Sequence, residues 1–358
     1  MSDRCKPLVS VVTPVFNGER YLAECIESVL AQTHSNFEYV IVNNQSNDRT
    51  RQIADCYAAK DPRIRVVDTP AFFKIIDNWN YAIRQIDPSS KYCKELHSDD
   101  VLHPQCLEQM IAVAEAHPNV GIVGCYVRKG NHIVAEFPYS ETAIDGREVC
   151  ARTLQRDFFA FGSPSSLLIR SDVVRARNPF YDNTYYHADT EACYATLASW
   201  DFGFVYQILS VTRLHDESVS STFTDRMRTN YLEWFGMFRT YGPKYLAPHA
   251  YEQRRRRELK SYYRFLARTL VFERNREFWR FHRAGLERMG YRFNHMLLAR
   301  GFWWLFAEYV FNPKRTAGRI VRYFRDRREG ALGERRADRR AVARMDVSAK
   351  DRADGGSV

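Results

Sequence analysis

Residues 9 to 44 read VSVVTPVFNGERYLAECIESVLAQTHSNFEYVIVNN, and the spacing of the apolar residues changes twice within them. LVSVV at 8–12 is a continuous β-branched run, the pattern of a strand covered on both faces. From Arg20 to Gln32 the apolar residues Leu22, Ile26, Val29 and Leu30 share one helical face, and EYVIV at 38–42 returns to a strand pattern. Strand, helix and strand at this spacing predict a βαβ unit.

The alternation continues outward. A helix opened by Asp48 is expected over 48–59, a strand over 64–68, a helix around 75–86, a strand ending near His97, a helix after Pro104 and a strand over 120–127. Such repetition predicts an α/β fold with a mostly parallel sheet covered by helices, and ligand groups on loops beyond the carboxyl ends of its strands. Asn17, the run NNQSND at 43–48 and the run HSDD at 97–100 all fall on those loops. Residues 146 to 224 are less regular, with a short strand at 165–169, a helix around 188–199 and strands near 203–213. From 225 the pattern is helical. The expected organisation is a catalytic domain over 1–224, a basic, aromatic-rich helical extension over 225–330 and a disordered tail over 331–358.

Charge divides the chain a little further on, at residue 250. The net charge is +10 at pH 7, yet residues 1–250 hold 25 Lys and Arg against 30 Asp and Glu, whereas residues 251–358 hold 28 against 13. A basic segment of this kind suits a polyanionic surface: anionic lipid, nucleic acid or polyphosphate. The eight cysteines form no C-x-x-C pair and several lie in apolar runs, which fits buried thiols in a reducing cytosol. MSDRCKPLVSVVTPVF at the amino terminus is unlike a signal peptide, and the most apolar run, GFWWLFAEYVF at 301–311, is too short to span a membrane.

No G-x-G-x-x-G follows the first strand and no G-x-x-x-x-G-K-[ST] occurs, which weakens dinucleotide and P-loop readings. The segments present are T-P-V-F-N at 13–17, the acidic pair Asp99–Asp100 in SDD, the helix-opening stretch YYHADTEACYATL at 185–197 and the R-x-H of VTRLHDESVS at 211–220. In this order, over roughly residues 7–222, they resemble the family 2 glycosyltransferases, inverting nucleotide-sugar-dependent enzymes of GT-A fold.

The resemblance implies a role for each matched residue. Asp100 binds a divalent cation, Mg²⁺ or Mn²⁺, and Asp99 faces the ribose or the metal shell, since a departing diphosphate must have its charge neutralised. Thr13, Pro14, Asn17 and Ser98 line the nucleotide-sugar site with Asp99, and Asn80 lies on a helix beneath the donor. Asn43 stands where the family commonly has the first Asp of D-D-G-S; its amide oxygen can still accept the imide N–H of a base, without charge assistance. His215 approaches the metal or diphosphate and Arg213 the phosphates. Asp189 is the catalytic base that takes the acceptor hydroxyl's proton, with Glu191 as its alternative. Phe161, Gly162 and Ser165 face the acceptor.

A plain reading stands beside each of these. The acidic pair is also a surface turn, Asn80 a satisfied core amide, Asp189 a carboxylate favoured by a helix start, and His215 a structural histidine. The leading expectation is transfer of a hexosyl or deoxyhexosyl group from a nucleoside-diphosphate sugar to a glycan or lipid-linked acceptor in bacterial-type polysaccharide or cell-envelope glycan synthesis. A nucleotidyltransferase normally has a Gly-rich basic signature near the first strand, which TPVFNGER lacks. A catalytically inactive nucleotide-sugar-binding or nucleic-acid-binding protein is the non-enzymatic alternative, though no nucleic-acid partner is expected. Arg interleaved with Phe, Tyr and Trp after 225 suits an anionic membrane surface, so the expected location is cytoplasmic and peripheral on the inner face of the plasma membrane. A helical bundle with a solvated Arg-rich face is the simpler alternative.

Overall fold

A computed structural model of the chain describes residues 6–130, 132–134, 136–213, 225–270 and 275–311. His215 and the tail from 331 lie outside the described residues. Ten strands run β1 (Val9–Val15), β2 (Phe37–Asn43), β3 (Ile64–Asp68), β4 (Tyr92–Glu95), β5 (Val101–Leu102), β6 (Val120–Lys129), β7 (His132–Val134), β8 (Ala143–Ile144), β9 (Leu167–Arg170) and β10 (Asp201–Thr212). The helices are α1 (Leu22–Leu30), α2 (Thr50–Ala58), α3 (Ile75–Ile83), α4 (Cys106–Ala116), α5 (Gly146–Leu154), α6 (Ser171–Ala176), α7 (Ala188–Thr196), the single turn α8 (Asp225–Met227), α9 (Thr229–Tyr245), α10 (Pro248–Leu270), α11 (Arg276–Arg288) and α12 (His295–Phe311).

Among the described residues, all the strands join one sheet in the order β3-β2-β1-β4-β9-β6-β10-β5, with β7 on β6 and β8 on β10. The first half is parallel: β1 pairs with β2 from Val9↔Phe37 to Val15↔Asn43, with β4 from Val9↔Tyr92 to Val12↔Glu95, and β2 pairs with β3 up to Asn43↔Asp68. The second half is mixed, because the short β9 runs antiparallel to both β4 and β6 while β10 lies parallel to β6. Strand order reverses between β2 and β4 on either side of β1, which opens a crevice at the carboxyl ends of these strands.

Alternation along β1 and β2 builds two apolar layers. Val9, Val11, Val15, Phe37, Tyr39 and Ile41 pack with Leu22, Cys25, Ile26 and Val29 of α1, whereas Val12, Val40 and Val42 pack on the opposite layer with Ala82 and Ile83 of α3. Both faces of these strands are thus buried, which is why they read as unbroken apolar runs. Pro14 is accommodated inside β1, which continues one residue further.

The described residues fall into two compact units, within Met1–Tyr262 and Asn275–Phe293, and within Tyr263–Arg274 and Asn294–Val358. The sheet, α9 and α11 belong to the first and α12 to the second. Among the described residues, seven cysteines are free thiols, six of them buried, and no helix is long and apolar enough to cross a membrane.

Candidate active site

The acidic turn follows β4 directly. His97, Asp99 and Asp100 each offer a ligand atom, all within 4.8 Å of one another, so the donor set fits a divalent cation. Asp100 is 2% exposed. Burial first, then the Asp99 charge, pushes its carboxyl up to about 6, against the opposing effects of His97, a hydrogen bond from Ser165 and the backbone N–H of Arg213, 3.3 Å from Oδ1. A buried carboxylate beside another carboxylate is costly unless a cation sits between them.

His97 is anchored on three sides. Its backbone N–H donates to Ser165 Oγ at 3.1 Å, its Nε2 lies 3.2 Å from Glu95 Oε1, and its ring packs against that of Trp79, centroids 4.7 Å apart and planes tilted by 32°. Burial lowers the imidazole pKa, but the Glu95 hydrogen bond and charge, with the Asp100 and Asp99 charges, raise it to about 9. Lys94, fully buried, donates to the carbonyls of Ser165 (2.6 Å) and Leu167 (3.0 Å), tying the segment that supports the turn to β4.

The first two loops are stitched together beside this turn. Asn17, at φ 52°, donates its backbone N–H to Ser46 Oγ (3.0 Å) and accepts from the Asn47 N–H at Oδ1 (2.9 Å). Gly18 donates to Thr50 Oγ1 at 2.7 Å, and a Cβ there would lie 2.5 Å from Val15 and 3.4 Å from Ser98 Oγ, so glycine lets the loop approach the acidic turn. Thr13 is buried, its hydroxyl 3.0 Å from that of Tyr39. Asn43 donates to Asp68 Oδ1 at 2.8 Å and accepts from the Ser46 N–H at 3.2 Å.

Several residues named from the sequence have other work. Asn80 clamps the backbone of Tyr181, donating to its carbonyl at 2.8 Å and accepting from its N–H at 2.9 Å, which occupies both ends of the amide. Phe161 is 1% exposed and packs on Tyr194 and Phe202, so it belongs to the core rather than to an open acceptor surface. Gly162 sits at φ 65° where a Cβ would lie 2.3 Å from Ser166 Oγ, a conformational requirement of the turn. Ser165, fully buried, supports the acidic turn instead of lining an acceptor face. The Arg213 guanidinium is turned to Glu24 and over the ring of Tyr21.

The two carboxylates of α7 differ in environment. Both oxygens of Glu191 accept from Arg177, at 2.8 and 2.9 Å, and Tyr241 donates to the same group, which fixes Glu191 as a buried tie to α9. Asp189, partly buried in the first turn, accepts at Oδ1 from the Thr190 N–H at 2.8 Å and keeps accepting capacity. Residues that sequence reasoning left without a role are His97, Glu95, Trp79, Lys94 and Asp68. The signal for the first two was present: Glu95 and His97 are two apart at a strand end, on one side of extended chain.

The model of the family described as Glycosyl transferase family 2 matches residues 10–175, spanning the acidic turn and its supports. An uncharacterized glycosyltransferase of Rickettsia typhi, RT0329, is 25% identical over 242 residues, 65% of this chain and 72% of that one. S. aureus TarS 1-349, solved with UDP-GlcNAc, superposes with a TM-score of 0.53 at 17% identity, covering 75% of this chain and 74% of that one. The mannosyltransferase PcManGT of Pyrobaculum calidifontis, solved with GDP-Man and Mn²⁺, gives 0.51 at 13% identity, covering 87% and 83%. At such identities the likeness to these structures is one of fold. With the family match, the GT-A sheet and the strand-end acidic turn in agreement, residues 10–175 form a glycosyl transferase family 2 domain and the chain is a glycosyltransferase.

Proposed function

We propose that this glycosyltransferase is an inverting, divalent-cation-dependent enzyme that moves a hexosyl or deoxyhexosyl group from a nucleoside-diphosphate sugar to a glycan or lipid-linked acceptor in cell-envelope polysaccharide synthesis. The observation that carries the reading is the His97, Asp99 and Asp100 cluster, with its buried Asp100, at the end of β4. TarS with UDP-GlcNAc and PcManGT with GDP-Man and Mn²⁺ support a nucleotide-sugar donor and a divalent metal. Asp100 and Asp99 would hold Mg²⁺ or Mn²⁺, which supplies Lewis-acid stabilisation of the diphosphate as it leaves.

The chain's own residues do the rest. Asn17 and Asn43 shape the nucleotide pocket through the stitched first and second loops, Thr13 supports it from within β1 through Tyr39, and Asp68 brings a carboxylate to the edge where Asn43 lacks one. Asp189 accepts the proton of the acceptor hydroxyl, a role its uncommitted lone pairs support and the Arg177-bound Glu191 cannot share. His215, outside the described residues, is assigned to the metal or diphosphate by the resemblance alone.

The carboxyl-terminal helices are assigned to an anionic membrane surface on the cytoplasmic side. Support comes from the excess of basic residues after 250 and from α12, where Met296, Trp303 and Phe306 are 75%, 65% and 53% exposed. The test of the transferase reading is release of nucleoside diphosphate from a panel of UDP- and GDP-sugars with Mn²⁺ or Mg²⁺. Release abolished by chelation and by Asp100→Ala supports it; an unaltered rate in that variant removes the metal assignment.

A further inference from the structure

The resemblance brings Asp99, Asp100 and the distant His215 to the cation, yet a second imidazole, that of His97, stands two residues before Asp99. His97 belongs to the cluster whose ligand atoms lie within 4.8 Å of one another, and it is held there with little freedom. Its Nε2 faces Glu95 Oε1 at 3.2 Å, its ring packs at a tilt against Trp79, and its backbone is fixed by Ser165 Oγ. Glu95 is 3% exposed and its backbone is fixed opposite Val12 of β1, so its carboxylate is held in the interior beside the ring.

This is the arrangement a metal-bound histidine uses. A ligating imidazole donates its other ring N–H to a carboxylate, which sets the tautomer, orients the ring and raises ligand basicity. With the Nε2 hydrogen directed at Glu95, Nδ1 is the ring's remaining donor once the cation displaces its proton. The three residues at one strand end then offer one nitrogen and two carboxylates, unlike the all-oxygen shell that Mg²⁺ prefers.

We propose that His97 is a protein ligand of the divalent cation through Nδ1, with Glu95 as its positioning residue, and that this nitrogen biases the site toward first-row transition ions over Mg²⁺. The inference rests on the cation site of the proposed function. It adds a ligand and a metal preference that the acidic pair alone does not provide. Trp79 closes one face of the ring and keeps the imidazole from rotating off the cation.

The experiment loads the full chain, labelled with ¹⁵N-histidine, with Mn²⁺ and UDP and, separately, with Mn²⁺ and GDP, and records pulsed electron paramagnetic resonance. The expected result is a ¹⁵N coupling of directly bound imidazole that persists in His215→Ala and vanishes in His97→Gln. Competition between Co²⁺ and Mg²⁺, read by displacement of Mn²⁺, should favour Co²⁺ in the native chain and lose that preference by about tenfold or more in His97→Asp, while Glu95→Gln weakens Mn²⁺ binding by about 10-fold to 100-fold. Bound Mn²⁺ with no histidine coupling in the native chain overturns the assignment and leaves the cation site standing. No Mn²⁺ binding with either nucleotide overturns both. Because the coupling is read in the unmutated protein, a variant that misfolds does not obscure the answer.

Discussion

Asn43 Nδ2 donates to Asp68 Oδ1 at 2.8 Å, across the parallel register that sets these two residues side by side at the ends of β2 and β3. Asp68 also accepts from Arg51, and its carboxyl is held below the ordinary value first by the Asn43 hydrogen bond, then against burial by Arg51. Replacing Asn43 with the more usual Asp would set two carboxylates against each other. The expected cost of Asn43→Asp is about 1–2 kcal/mol at neutral pH, recovered in the Asn43→Asp/Asp68→Asn double variant. Thermal unfolding of the three variants around one cycle checks it; a simple sum of the two single effects would refute the coupling.

Asp100 should trade stability for cation binding. Its folded pKa of about 6 lies above the ordinary 3.8, so the ionised group opposes folding above that range and the cost fades as pH falls from about 6 toward 3.8. Asp100→Asn is expected to raise the melting temperature of the metal-free protein, by about 2 kcal/mol of stability, while removing the stabilisation by Mn²⁺ and nucleotide. Mn²⁺ affinity of the native protein should fall by up to about tenfold per unit below about pH 6, as the proton competes for the site. Thermal shift and metal titration at several pH values report both effects.

The two carboxylates of α7 should separate cleanly. Asp189→Asn is expected to leave folding and donor binding intact and to slow transfer by about 10²–10⁴-fold. Glu191→Ala strips Arg177 of its partner, a guanidinium 30% exposed, and Tyr241 of its acceptor, so its loss is one of stability, about 2–3 kcal/mol. Urea unfolding beside single-turnover kinetics distinguishes them.

His282 gives the fold an acid limit. It is fully buried, with Tyr262 OH 2.6 Å from Nδ1 and the Met227 carbonyl 2.9 Å from Nε2, a pattern that satisfies the neutral ring. Burial, the largest cause, lowers its pKa to about 4, partly opposed by the Met227 carbonyl. The unfolded chain therefore binds the proton first, and about 3 kcal/mol present above pH 6.5 is lost as pH falls from 6.5 to 4. His97 has the opposite sign: its stabilisation is complete below 6.5 and disappears as pH rises toward about 9. Chemical denaturation from pH 4 to 9 should show both flanks, and His282→Gln should flatten only the acid one.

Membrane attachment should depend on α12. Trp303→Glu with Phe306→Glu is expected to reduce partition onto vesicles rich in anionic lipid by tenfold or more, and raised salt should weaken binding of the native protein as the contribution of its Lys and Arg, about 1 kcal/mol each near the surface, is screened. Co-sedimentation with anionic and with neutral vesicles measures it. Equal retention of native and variant protein on both would remove α12 from that role.

Local pattern alone made the first half of the sheet legible. Val9, Val11 and Val12, like Val40 and Val42, are apolar at every step because both faces of β1 and β2 are covered, and the intervening helical face of Leu22, Ile26 and Val29 requires no distant information. β9 was harder: it is four residues long and owes its antiparallel place to neighbours from β4 and β6, far apart in the chain. Non-local pairing of that kind leaves little mark on four side chains.

In the site, sequence by itself determined which loops would meet and which residues carry charge, since strand ends and an acidic pair follow from periodicity and composition. Only the tertiary structure decided what each group is free to do. Asn80 spends its amide on Tyr181, Glu191 its carboxylate on Arg177, and Ser165, drawn from 68 residues away, holds His97 over the buried Asp100. The reason is that burial and hydrogen-bond partners, which fix protonation and availability, come from residues remote along the chain.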